Sequence, residues 1–431
     1  MTPNTNPSPE DRLAIDGGQP ARRRPDPPMY PGGNLIGDEE EQAVLEVLRS
    51  KRLFRYYGPQ PGPSRVAQLE AAFAAHMGAQ KAIAVSSGTA ALMCGLAGIG
   101  VGPGDEVIVP AYTWIASASA VVMMGGIPIL AEVDDTLTLN PADVERKVTP
   151  RTKAIMPVHM RGAPARLDEL LALARARGLR VIEDAAQADG GGYRGQRLGT
   201  LGDVGCFSLQ FNKIITCGEG GMVITSDAEI HKRAVMFHDT IGGLRNNVPD
   251  DEILMGMNFR MPELTAAVAL VQLGRLDGLI DEMLTRKHAL KAGIADALAR
   301  AGGHFRGVTD IEGDTGISLI FFLPSAELAD RAIQALRAEN VGAGGMYRPD
   351  RIDYHVYPHW GPIMERRTWS EQGGPWRWGA PVEYRADMCP QTLDLLRRAI
   401  HLDVNPLFTT EDIDETIHGL NKVLRALPIS S

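Results

Sequence analysis

Four cysteines, Cys94, Cys206, Cys217 and Cys389, are spread through 431 residues without a Cys-x-x-Cys pair. That spacing offers neither a zinc ribbon nor an iron–sulfur cluster, so no metal site is expected, and reduced thiols in a cytoplasmic protein are. Long apolar runs are missing too, stretches such as Ala116 to Met124 reaching about half a membrane span. The first twenty residues are polar without an apolar segment, and no secretory leader is expected. Basic charge is in deficit, the net charge being −9. The one basic run, Arg22 to Arg24, is too short for a nucleic-acid or anionic-membrane surface, so neither partner is expected.

What is present is length enough for two or three domains and a wealth of glycine and proline, 47 and 29 residues, which fits many short elements joined by turns. Residues 1–35 lack periodicity and read as an N-terminal arm. From residue 36 to 275 short β-rich runs alternate with amphipathic helices: KAIAV, DEVIVP, IPILAEV, KAIMPVH, LRVIEDA, DVGCFSL and GMVITS. Apolar runs without clean alternation, separated by helices, imply an α/β fold with a mostly parallel, doubly wound sheet. Residues 276–431 read as a smaller α+β domain, entered through one long helix from Pro262 to Ala301. Within it, residues 345–385 have little periodicity and hold four of the five tryptophans.

Three motifs carry chemistry. Ser86-Ser87-Gly88-Thr89 follows a strand and opens a helix, where free N–H groups and the helix dipole suit a phosphate, although a plain Ser/Thr cap has the same signature. Asp184, in EDAAQ, ends the strand LRVI, the side of an open α/β sheet on which ligands bind. Lys213 lies 29 residues on, in SLQFNK, after a strand and before the glycine-rich GEGG. A phosphate cradle, a strand-end carboxylate and a desolvated lysine together meet the needs of pyridoxal phosphate: an anchored phosphate, a partner for the pyridine nitrogen and an amine for the Schiff base.

The segments SSGTAAL, DEVIVPAYTWIASASAV, EDAAQADGGGYRGQRLGTLGDVGCFS and GMNFRMPELTAAV, with the Ser-x-x-x-x-Lys spacing before GEGG, resemble the DegT/StrS-type family of fold type I pyridoxal-phosphate enzymes, chiefly sugar and cyclitol aminotransferases. FRYY, ITCGEGG and MGMNFR resemble a branch that aminates an eight-carbon keto-sugar acid. The resemblance implies that Lys213 is the Schiff-base lysine and Asp184 the pyridinium partner. It places Gln187 near the phenolic oxygen, Gly88, Thr89 and Ser208 on the phosphate, and Trp114 stacked on the ring. Asn258 would reach the phosphate from a neighbouring subunit, making a homodimer with shared sites. His159 falls either near the cofactor or in the core. Leu209, where the family commonly has Phe, reads as a packing change, and YHVYPHW at 354–360 replaces a common Tyr-Pro-x-Pro-Leu-His stretch.

The implied activity is transfer of an amino group from glutamate or glutamine to a keto-sugar, keto-cyclitol or related ring ketone in a biosynthetic, natural-product pathway. A lysine-bearing dehydratase and aromatase of the aminohydroxybenzoate-synthase type is the alternative. A regulator of this fold would need an N-terminal DNA-binding domain, for which residues 1–35 are too short and insufficiently basic. On the acceptor side the candidates are Arg55, Tyr57, Arg260 and His355, with the aromatics Tyr347, Tyr357, His359, Trp360, Trp369, Trp376 and Trp378 lining the site or packing one domain on the other.

Overall fold

The computed structural model describes residues 12–59 and 62–428, and residues 1–11 of the expected arm lie outside the described residues. The central sheet consists of β1 (Lys81–Val85), β2 (Glu106–Pro110), β3 (Ile127–Ala131), β4 (Thr152–Ile155), β5 (Arg180–Asp184), β8 (Val204–Ser208) and β9 (Gly221–Thr225). A small antiparallel hairpin of β6 (Gly192–Tyr193) and β7 (Gln196–Arg197) is set between β5 and β8. The sheet order is β1-β9-β8-β5-β4-β2-β3, parallel from β3 to β8, with β9 antiparallel to both its neighbours.

Both faces of this sheet are covered, and β2 shows how. Val107 and Val109 pack with α3 (Gly88–Gly98), α4 (Ala116–Met123) and α7 (Ala228–His238), whereas Ile108 between them packs with α5 (Pro141–Lys147) and α6 (Leu167–Arg177). With period-2 alternation and two apolar faces, the interior positions of the strand must all be apolar, hence the unbroken run Val107-Ile108-Val109 after Glu106. The expected doubly wound α/β architecture is what forms.

Helices α1 (Asp38–Ser50) and α2 (Arg65–Met77) pack on α9 (Glu263–Leu273). The single helix expected over Pro262 to Ala301 is two, α9 and α10 (Leu276–Arg300), after a four-residue turn α8 (Gly242–Arg245) further upstream. The break falls at Gly274-Arg275. There the Arg275 side chain pairs with Glu39 and Glu40, and Gln272 donates to Glu40 as well. A second, antiparallel sheet of β10 (His304–Phe305), β11 (Ser318–Phe322), β12 (Ala343–Gly345) and β13 (Ala399–Asp403) has the order β10-β11-β13-β12. Around it lie α10, α11 (Ala326–Ala338), α13 (Pro390–Arg398) and α14 (Thr410–Ala426).

Two segments depart from the sequence reading. The arm is docked rather than loose: Arg22 is fully buried and paired with Asp412, while Glu339 accepts hydrogen bonds from the N–H groups of Ala14 and Ala21. Residues 345–385, placed by sequence in the small domain, bridge both units: Gly345 ends β12 and Met346 and Val356 pack with Ile320 and Phe322 of β11, whereas later residues pack on the large sheet. Tyr357, Trp360 and Ile363, near α12 (Gly361–Met364), share the core of α3 and α4, and the Tyr384 hydroxyl donates to the Pro128 carbonyl on β3. Trp369 and Trp378 are exposed. No helix among the described residues is long and apolar enough to cross a membrane.

Candidate active site

At the carboxyl ends of β5 and β8 a cavity of about 830 Å³ opens. Lined by Gly88, Thr89, Trp114, Asp184, Gln187, Ser208, Lys213 and His355, it brings together most of the residues singled out by sequence. Local structure explains the convergence. Ser87 caps α3, its Oγ accepting from the Ala90 N–H at 3.1 Å. The N–H groups of Gly88 and Thr89 are left at the helix start, facing Ser208 at the end of β8. The approach is close: a Cβ on Gly88 would stand 2.7 Å from Ser208 Cβ and 2.9 Å from its Oγ. Only glycine leaves that cradle open.

Asp184 ends β5 and is buried. Its Oδ2 accepts from Ser117 Oγ at 2.7 Å and its Oδ1 from the Ala186 N–H at 3.1 Å. Since Ser117 spends its proton on Asp184, Thr113 Oγ1, 2.8 Å away, donates to Ser117, and a short relay fixes the carboxylate. Burial pushes the Asp184 pKa up, against the pull of Ser117, Ala186, Lys213 and His159. A cation is wanted beside it.

Lys213 sits in the loop after β8. Its N–H donates to the Gln210 carbonyl, and the loop closes where the Leu209 N–H meets the Gly220 carbonyl at 2.9 Å. Leu209 is buried in the core, a packing position. Burial lowers the Lys213 pKa, while Asp189 and Asp184 raise it, so the amine is brought toward its neutral form. Asp189, five residues after Asp184, is fully buried with both oxygens unpartnered among the described residues.

The other expected residues fall at differing distances from the cavity. His159 is a core residue: Nδ1 accepts from the Ala165 N–H, so Nε2 donates to Glu183 at 3.0 Å, and neither atom faces the cavity. Trp114 is 46% exposed on the cavity wall, where its ring meets His355 at 5.0 Å between centroids. Arg55 is engaged in a two-pronged pair with Glu70 at 2.8 and 2.6 Å, and Arg260 bonds Asp239 at 2.5 Å. With those guanidinium groups committed, neither reaches the cavity of its own chain, and Tyr57 and Asn258 are exposed outside it.

The sequence reading missed residues that come from far away in the chain. Tyr30 of the arm, Ser318 on β11, and His401 and Asp403 on β13 complete the wall. So does Arg161, six residues beyond β4, whose backbone is left-handed at φ 54 and ψ 37. A following glycine, Gly162, was the one hint of such a turn.

Comparison with known proteins agrees with this geometry. The model of the DegT/DnrJ/EryC1/StrS aminotransferase family matches residues 34–362. An L-glutamine:2-deoxy-scyllo-inosose aminotransferase of Streptomyces paromomycinus is 34% identical over 432 residues, covering 96% of this chain and 97% of that protein. The GDP-perosamine synthase of Caulobacter vibrioides is 43% identical over 238 residues, 55% of this chain and 62% of that protein. Among solved structures, that of 3-amino-5-hydroxybenzoic acid synthase superposes with a TM-score of 0.77 at 30% identity, covering 93% of this chain and 99% of the other.

Proposed function

The chain belongs to the DegT/DnrJ/EryC1/StrS aminotransferase family, and from that membership we propose that it moves the amino group of L-glutamine to the keto group of a cyclitol in antibiotic biosynthesis. It is a pyridoxal-phosphate-dependent aminotransferase with the fold type I architecture. One observation carries the reading. The helix-start cradle at Gly88, the buried Asp184 and the buried Lys213 converge on a single cavity.

These residues fit the cofactor. The cradle that a Cβ would fill suits a phosphate, and the cation that Asp184 lacks is what a protonated pyridine provides. When bound, pyridoxal phosphate supplies a carbonyl carbon for amines and an electron-withdrawing ring. Gly88, Thr89 and Ser208 would hold its phosphate, Asp184 its ring nitrogen, and Gln187 and Trp114 its ring. Lys213 Nζ, whose pKa burial lowers, would take the proton from the donor's α carbon and hand it on. Asp184, fixed by Ser117 and Ala186, needs no reorganisation as charge develops.

Glutamine as donor and a keto-cyclitol as acceptor are supported by the name of the Streptomyces relative matched along nearly its whole length. A cytoplasmic homodimer is supported by four free cysteines and by Asn258, exposed beside Met255 and Met257, which are 93% and 51% exposed. A second reading, a dehydratase and aromatase, draws on the likeness to 3-amino-5-hydroxybenzoic acid synthase, and a product with an aromatic ultraviolet band would favour it. The direct test is a half-reaction panel. L-Glutamine should bleach the visible band of the loaded protein and scyllo-inosose or its 2-deoxy form should restore it, whereas a band indifferent to every amino acid refutes the reading.

A further inference from the structure

Arg161 is held in an uncommon way for a reason that the cofactor site does not use. A non-glycine residue in the left-handed region costs about 1 kcal/mol, and here the peptide is clamped on both sides. Its N–H donates to Gln187 Oε1 at 3.1 Å, and its carbonyl accepts from Ser318 Oγ at 3.1 Å. One clamp comes from the loop after β5 and the other from β11, so the two sheets jointly fix where this side chain points.

It points into the cavity. Among the described residues, the guanidinium's side-chain contact is a long one, Nε to the Tyr112 hydroxyl at 3.4 Å, and its terminal nitrogens have no hydrogen-bond partner. It is also the one arginine on the cavity wall among the described residues. Burial opposes its charge, but Tyr112, Asp403 and Asp353 more than offset that, and the group stays cationic. The histidines beside it do not share the charge: burial lowers the pKa of both His355 and His401, with Arg161 adding to the effect. Asp353 is already engaged by the His355 ring at 2.8 Å. A guanidinium fork with free terminal nitrogens on a cavity wall matches a carboxylate with two parallel hydrogen bonds.

We propose that Arg161 binds the α-carboxylate of the amino donor, which places the donor's α carbon beside Lys213. The assignment rests on the aminotransferase reading, in which an amino-acid donor brings that group to this wall. A carboxylate carried by the acceptor is the other source of the same chemistry. Asp403, on the same wall, disfavours a second carboxylate near the first, which accords with a donor whose side chain is a neutral amide.

The test uses the loaded enzyme and α-methyl-L-glutamine, which has no α hydrogen and therefore binds without turnover. Calorimetry should show its affinity falling roughly 10- to 150-fold in Arg161→Gln, the worth of a charge-assisted hydrogen bond, with partial recovery in Arg161→Lys. Saturation by scyllo-inosose in the second half-reaction and affinity for pyridoxal phosphate should each change less than about threefold. Should the variants fold poorly, wild-type protein still decides: the α-carboxamide of glutamine should bind it roughly 10- to 150-fold more weakly than glutamine. Unchanged α-methylglutamine affinity in Arg161→Gln, a loss confined to the acceptor or to the cofactor, or a carboxamide bound as tightly as the carboxylate would each overturn the assignment. A wild-type protein that loads the cofactor and responds to no amino acid would instead refute the aminotransferase reading itself.

Discussion

Replacing Gly88 by alanine tests the phosphate cradle with the smallest possible change. The new Cβ would lie 2.7 Å from Ser208 Cβ, 2.9 Å from Ser208 Oγ and 3.3 Å from Ser208 Cα. Carbon atoms rest at about 3.5–4.0 Å, so the start of α3 and the end of β8 must part by roughly 1 Å. The obstacle is the root of the Ser208 side chain, which has no rotamer that moves it aside. Overpacking of this kind costs about 1–3 kcal/mol of stability. For the ligand, a shift of that size pulls the Gly88 and Thr89 N–H groups out of reach of a phosphate oxygen, and each charge-assisted bond is worth ~1.5–3 kcal/mol. Pyridoxal phosphate affinity, measured by absorbance titration of cofactor-stripped protein, should fall by roughly 10- to 100-fold. Adding Ser208→Gly removes the clashing atoms, so the double variant should bind no worse than Ser208→Gly alone, a non-additivity that marks direct contact. If Gly88→Ala binds the cofactor as wild type does, or if the two losses simply add, the cradle is not where the phosphate lies.

Asp189 is expected to destabilise the cofactor-free protein at neutral pH. Burial holds its pKa well above the ordinary value, so its contribution is intact below about pH 4, the unfolded value, and is lost as pH rises through the folded one. Asp189→Asn should therefore raise the melting temperature more at pH 8 than at pH 5, by roughly 1–3 kcal/mol in stability, and the opposite order in thermal melts would contradict this. Composite sites predict complementation: mixing inactive Lys213→Ala and Asn258→Ala chains should recover roughly a quarter of wild-type activity, from the one intact site of each hybrid dimer. An active monomer in sedimentation would remove that idea.

The sheet and its helices were legible because their signal is local. Each strand of the large sheet is a short apolar run and each flanking helix has its own periodicity, and the cofactor motifs sit at the junctions. What failed was long-range. At the break between α9 and α10, Arg275 meets Glu39 and Glu40 across more than 200 residues, and nothing in the local pattern shows it. Arg55 looked free to meet an anion until Glu70 occupied both its prongs. Tyr357, Trp360, Trp376 and Tyr384 show no periodicity because they fill an irregular surface against the large sheet, so their burial is set by the partner rather than by spacing. Arg161, two residues after His159, gives no sequence signal because a lone arginine carries no pattern, and the residues that hold it, Gln187 and Ser318, lie 26 and 157 positions away.

The central claim is the transfer itself, and nitrogen labelling follows it atom by atom. The loaded enzyme would be given L-glutamine labelled with nitrogen-15 at the α-amino group, together with scyllo-inosose or 2-deoxy-scyllo-inosose, and the products read by mass spectrometry and NMR. The account predicts an amino-cyclitol that carries the label on the former keto carbon, in amounts equal to the 2-oxo acid formed from glutamine, and none with Lys213→Ala. Oxo acid formed with no label in any ring product from these ketones, or labelled product from Lys213→Ala at the wild-type rate, would contradict it.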